Sequence, residues 1–282
     1  MAPPADPAGL LARIAACRSP FVPGRYLPVR LGASLVGWAP PALAAPLARI
    51  DPATRADGAI ALPTAQARLD RLTRALAEEG LMRWRGEEFD LFAAPGGPPL
   101  GRIDRGALPV FGLLARGTHL NGLVRRPEGV QLWVARRAAH RALDPGKLDH
   151  LAAGGVPAGL TPWQTLVKEA AEEAAIPPAL AARARPGARL AYTFERAEGL
   201  RRDLLLCYDL DLPPGFTPHP ADGEAESFAL WPLAEVLDRI ARTEDFKFNV
   251  PLVVIDLALR EGLIGDRAHA AALRAALDAP GW

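Results

Sequence analysis

The chain has 282 residues, half of them hydrophobic, with 33 Lys+Arg against 32 Asp+Glu and a formal charge of +1. At about 150 residues per domain this length suggests two domains, and the near-neutral charge argues against nucleic-acid binding through bulk electrostatics. Cys17 and Cys207 are the only cysteines and stand far apart, which excludes a disulfide framework or a zinc cluster and suits a reducing compartment. No basic-then-apolar leader and no run of about 18 apolar residues is visible, so neither secretion nor membrane spanning is expected, and a cytoplasmic protein is.

In chain order, residues 1–60 are rich in Pro and Gly, with short apolar stretches such as Leu27–Val36 that predict strands between turns. Leu69, Leu72 and Leu76 fall at helical spacing within 64–80, and Gly80 stops that helix. Strands are predicted at Leu81–Arg85 and Phe89–Ala93, ahead of a turn-rich break at 94–101. Asn121-Gly122 and Glu128-Gly129 read as turns bracketing a strand, and Val130–Arg136 reads as the next strand. Further on, residues 163–175 predict a helix, Arg189–Phe194 and Leu204–Leu210 paired strands, and Phe228–Trp231 another strand. Three helices follow, at 232–242, 250–261 and 267–277. The pattern is α+β with a mixed sheet. A boundary near residues 105–120 divides it into an N-terminal α+β accessory domain, 1–112, and a second domain, 113–282, with a C-terminal helical extension. Trp38 and Trp84 are expected in the core, and the five histidines, which show no ligand spacing, at the surface.

The stretch Gly154–Ile176 carries the chemistry. A glycine-rich loop leads into a capped helix: Thr161 suits the N-cap, Pro162 the first helical position, and Gln164 completes a capping box. Trp163, Leu166, Val167, Ala170, Ala171 and Ala174 share an apolar side, while Glu169, Glu172 and Glu173 share the other. One cation, Lys168, cannot neutralise three clustered acids. A hard divalent ion can, since Mg2+ takes oxygen ligands and bridges carboxylates to phosphates. The bland alternative is a solvated acidic helix face. The chain has only three lysines, Lys147, Lys168 and Lys247, beside 30 arginines, which singles those lysines out as candidates for a required ammonium.

This stretch resembles the Nudix box, G-x5-E-x7-R-E-U-x-E-E-x-G-U with U aliphatic. Gly154 matches the first Gly, Glu169, Glu172 and Glu173 the three clustered glutamates, and Ile176 the last aliphatic position. Leu160 stands for the first Glu, Lys168 for Arg, Ala170 for a larger aliphatic, and Ala175 for the last Gly. Segments 144–155, 216–233 and 245–263 resemble a Nudix subgroup that carries an N-terminal domain and whose eukaryotic relatives were labelled thiamin pyrophosphokinase-related. The resemblance implies a mixed β-sheet sandwiched by helices (α/β/α), preceded by the smaller N-terminal domain. It also implies hydrolysis of a diphosphate linked to another moiety, with Mg2+ or Mn2+ neutralising the phosphates and activating water.

On that reading Glu172 and Glu173 are metal ligands, Glu169 is a ligand or general base, and Lys168 orients a carboxylate. A further acid is expected from Asp222, Glu224 or Glu226, with Glu224 favoured. Lys147, Gly154, Gly155, Arg202, Lys247 and Asn249 are the candidate substrate contacts; Arg201 and Arg202 are otherwise a solvated hairpin tip. The expected partner is a small-molecule diphosphate, foremost thiamine diphosphate or its oxidised analogues, with a homodimer as one assembly, and neither nucleic acid nor membrane. ADP-ribose, dinucleotide or coenzyme A substrates are the second reading, and a degenerate, metabolite-binding Nudix regulator is the third.

Overall fold

The computed structural model describes residues 6–19 and 22–279. Its N-terminal half contains α1 (Pro7–Ala16), β1 (Leu27–Leu31), β2 (Ser34–Ala39), α2 (Ala44–Ile50), β3 (Arg55–Ala56), β4 (Ala59–Leu62) and α3 (Gln66–Glu78). It continues through β5 (Glu88–Asp90), β6 (Arg102–Asp104) and α4 (Ala107–Val110). β2, β1, β4 and β3 form a mixed sheet in that order, and β5 pairs with β6. Val29, Leu62, Leu69, Leu72 and Leu76 bury a core between this sheet and α3.

The second half opens with β7 (Leu114–Arg126), β8 (Gly129–Arg137), β9 (Leu148–Asp149), β10 (Ala152–Gly155), α5 (Pro162–Ala174) and α6 (Pro178–Ala181). It closes with β11 (Arg185–Arg196), β12 (Gly199–Asp211), β13 (Ala225–Pro232), α7 (Leu233–Arg242), α8 (Val250–Arg260) and α9 (Arg267–Asp278). Its sheet runs β11-β12-β7-β8-β13, with β10 on β7 and β9 on β8. β12 lies parallel to β7 while the other pairs are antiparallel, so the sheet is mixed. Alternation along the strands sends Leu120, Val124 and Leu210 toward α5, and Leu123, Leu205 and Cys207 toward α7, α8 and α9. Helices therefore cover both faces, the expected α/β/α sandwich, preceded by a smaller α+β region.

Several sequence expectations give way to tertiary context. Pro7–Ala16 is a helix capped by Asp6, and its Leu10 and Ile14 pack with α7, α8 and α9, not with the N-terminal sheet. Leu81–Arg85 is turn and coil rather than strand. Asn121-Gly122 is no turn: both residues sit inside β7. Gly122 is there because a Cβ would stand 2.2 Å from Leu151 Cδ2. His119 and His150 are buried, their rings edge to face at 4.9 Å, whereas His140, His219 and His269 are exposed. Trp38 and Trp84 are half-buried.

Candidate functional site

α5 begins as its sequence dictates. Thr161 Oγ1 accepts from the Gln164 N–H at 3.2 Å, and Gln164 Oε1 accepts from the Thr161 N–H at 2.9 Å, completing the capping box. Leu166, Ala170 and Ala174 are buried against the sheet, which turns Glu169 and Glu173 toward β10 and leaves Glu172 exposed. The two glycines of β10 make room. A Cβ on Gly154 would lie 2.3 Å from Glu169 Cδ, and one on Gly155 would lie 2.6 Å from Phe89 Cζ. A glutamate of α5 and an aromatic ring from the N-terminal half thus both press on this backbone.

Glu173 accepts from the Ala153 N–H at 2.9 Å. Burial holds its carboxyl well above the usual carboxylate range; the Ala153 N–H opposes this, and the charges of Glu169, Glu224 and Asp149 add to it. Glu169 is also pushed up, first by burial, with Lys168 opposing and Glu172 and Glu224 contributing. An Asp-Gly turn, in which Asp222 Oδ1 accepts from the Glu224 N–H at 2.8 Å and Gly223 takes φ +78°, brings two more acids up to α5. Carboxylate oxygens of Glu173, Asp222 and Glu224 lie within 4.8 Å of one another.

Cations are scarce here. Lys168 Nζ is 2.5 Å from Glu172 and 3.4 Å from Glu169, and Arg141 Nη1 is 2.6 Å from Glu224 Oε1. Glu172 is exposed and tied to Lys168, outside the three-carboxylate group, and Glu226 is exposed on β13. Hard oxygens from Glu173, Asp222 and Glu224, with Glu169 beside them, fit Mg2+ or Mn2+ rather than a soft metal.

The remaining sequence candidates are placed separately. Lys247 Nζ reaches Asp149 at 3.0 Å, beside Arg137 Nη1 at 2.7 Å, in a buried cluster behind Glu173. Asn249 is buried next to the Tyr192 hydroxyl. Lys147 lines an open groove of about 300 Å³ with Arg136, Arg239 and Glu244. Arg202 is a correction: it is not at a hairpin tip but inside β12, buried, and donates to the Gly112 carbonyl at 3.0 Å. That bond turns its guanidinium toward the N-terminal half rather than the acids. Arg141 had no local sequence signal, since its partner Glu224 is distant in the chain, and the same holds for the pairing of Asp149 with Lys247.

Residues 117–250 match the NUDIX domain family model. The chain is 38% identical over 218 residues to "Nudix hydrolase 20, chloroplastic" of Arabidopsis thaliana, covering 74% of this chain and 58% of that protein. It is 41% identical over 180 residues to "Nudix hydrolase 24, chloroplastic" of the same plant, covering 64% and 49%. It therefore spans only about half the length of these relatives. Among solved structures, DR0079 from Deinococcus radiodurans is 26% identical, with 60% of this chain and 97% of that chain covered, at a TM-score of 0.47. No helix among the described residues is long and apolar enough to cross a membrane.

Proposed function

We propose, on the premise that residues 117–250 are a Nudix domain, that the chain hydrolyses a diphosphate linkage with the help of Mg2+ or Mn2+. The observation that carries this reading is the convergence of Glu173, Asp222 and Glu224 beside Glu169. Glu173, Asp222 and Glu224 hold the ion, and Glu172 serves from the exposed edge of α5. The bound ion supplies positive charge against the diphosphate and makes phosphorus a better electrophile. Glu169, its carboxyl raised and pressed on Gly154, takes the proton of the attacking water. Lys168 fixes the carboxylates of Glu169 and Glu172 in place. Lys147 and the backbone of Gly154 and Gly155 face the substrate, while Lys247 and Asn249 act from behind the acids.

The proposed substrate is thiamine diphosphate or an oxidised analogue, cut to the monophosphate and phosphate. Its support is the subgroup resemblance of segments 144–155, 216–233 and 245–263; the proposed division is an accessory domain at 1–112, with α1 packed on the second half, ahead of 113–282. The proposed setting is the cytoplasm, although both Arabidopsis relatives are chloroplastic by name, and the proposed assembly is a homodimer. Phosphate release across nucleoside, dinucleotide, coenzyme A and thiamine diphosphates, with Mg2+, with Mn2+ and with EDTA, tests the reading. Metal-dependent turnover led by thiamine compounds is expected. Preference for ADP-ribose, dinucleotides or coenzyme A removes the substrate assignment alone. Full activity in EDTA removes the mechanism, and binding without turnover of any compound leaves a regulator.

A further inference from the structure

We propose that Arg141 is a diphosphate-binding residue kept on Glu224 until metal and substrate arrive, a role that rests on the hydrolase reading above. Arg141 sits in the loop between β8 and β9, and that loop is fastened to the acid-bearing turn. The Ala138 N–H donates to the Glu224 carbonyl at 3.0 Å, and the Arg141 N–H donates to the Ala138 carbonyl at 3.1 Å. Arg137, at the root of the loop, is buried and spends its guanidinium on Leu143, Asp144 and Asp149. The stem is thereby fixed. Arg141 itself is different: its side chain is 33% exposed and its Nη1 meets the Glu224 carboxylate at 2.6 Å.

That single contact leaves further N–H groups of the guanidinium fork for a second acceptor. It also puts Arg141 and an incoming cation in competition for the same carboxylate. Once a divalent ion holds Glu224, like-charge repulsion drives the guanidinium off. An anion beside that ion offers it two parallel charge-assisted hydrogen bonds, the geometry in which Arg binds phosphate best. Arg141 should therefore weaken metal binding before substrate is present and strengthen diphosphate binding afterwards. A residue that merely anchored its loop would show neither opposing sign.

Calorimetry on the full chain separates these cases, using Mn2+ alone and then methylenediphosphonate on the Mn2+-loaded protein. Arg141→Gln should bind Mn2+ roughly threefold or more tighter, and methylenediphosphonate roughly tenfold or more weaker. Arg141→Lys, which keeps the charge and loses the fork, should leave Mn2+ affinity near that of the wild type and still weaken methylenediphosphonate. Unchanged or weaker Mn2+ binding by Arg141→Gln, or unchanged methylenediphosphonate binding, overturns the inference. Failure of the hydrolase reading looks different: the wild type itself would bind neither Mn2+ nor methylenediphosphonate.

Discussion

Asp149 and Glu173 are carboxylates close enough to feel each other's charge, yet their surroundings are opposite. Burial alone would raise Asp149, but Lys247, His150 and Arg137 overcome it and hold the carboxyl far below its ordinary range. Two cations are thus fixed on one acid, at 2.7 and 3.0 Å, all three side chains largely buried. Around Glu173 the ratio is reversed. Glu169, Glu172, Glu173, Asp222 and Glu224 share Lys168 and Arg141, and Glu169 and Glu173 are pushed up rather than down. The first cluster is complete within the chain and works as structure. The second is short of positive charge where a cation can enter, which stability alone would not select.

The sharpest way to break this contrast is to neutralise one acid in each cluster. Asp149→Asn leaves Arg137 and Lys247 buried without their shared counter-charge, and should cost about 3–5 kcal/mol of folding stability. Urea unfolding reads this directly, and a loss under about 1 kcal/mol would place Asp149 among ordinary surface acids. Glu173→Gln should do the reverse. The Gln carbonyl can still accept from the Ala153 N–H, and repulsion from Glu169 and Glu224 is relieved. In EDTA its stability should hold or rise slightly, while kcat in Mg2+ falls on the order of 10²–10³-fold. A variant that unfolds easily but keeps its turnover would exchange the roles of the two clusters.

What the sequence revealed of these clusters follows the range of the interactions. The glutamates, the cap and the apolar stripe of α5 lie within one helical segment, so spacing alone placed them. Helix α1 had legible signals too, Asp6 before Pro7 and the Leu10/Ile14 stripe, but Pro- and Ala-rich composition hid them. Asn121-Gly122 misled because a local turn signal was outweighed by the need for close approach to Leu151. The ion pairs of Arg141 with Glu224 and of Lys247 with Asp149 join segments far apart in the chain, which no local pattern can encode. Arg202 shows the same limit: it is buried and donates to the carbonyl of Gly112, a loop residue far away in the chain.

A pH titration sharpens the comparison further. Burial pushes His150 down to about 4 from 6.5, with Lys247 adding and Asp149 opposing. Between those values the unfolded chain binds the extra proton, so this group makes stability fall as pH drops from 6.5 to about 4. At full burial the effect is on the order of 3 kcal/mol. Glu169 and Glu173 carry the opposite sign: their raised carboxyls stabilise the fold below the unfolded value of 4.5, and that contribution disappears as pH rises through their folded pKa. Wild type minus His150→Asn, followed by Tm against pH in EDTA, isolates the histidine part. Adding Mg2+ should flatten the carboxylate part and leave the histidine part standing. Identical profiles for the two proteins would mean that His150 is not buried as a neutral ring.

The smallest effect lies at the end of the acid-bearing helix and separates its backbone from its charge. Ala175 closes α5 at φ 53°, ψ 32°, the left-handed region, with its N–H donating to the Ala170 carbonyl. A Cβ in that conformation crowds the following carbonyl, at a cost of about 1–2 kcal/mol, which Gly would remove. Gly gives back part of the gain by widening the unfolded ensemble, so Ala175→Gly should stabilise by about 0.5–1 kcal/mol. For a chain of this size that is roughly a 1–3 °C rise in Tm. The residue is exposed, so nothing else need repack. The rise should be equal in EDTA and in Mg2+, because no charge changes, whereas any gain from Glu173→Gln should vanish once metal is present. A Tm increase for Ala175→Gly confined to one of the two conditions would show that the helix end and the acid cluster are coupled rather than separate sources of stability.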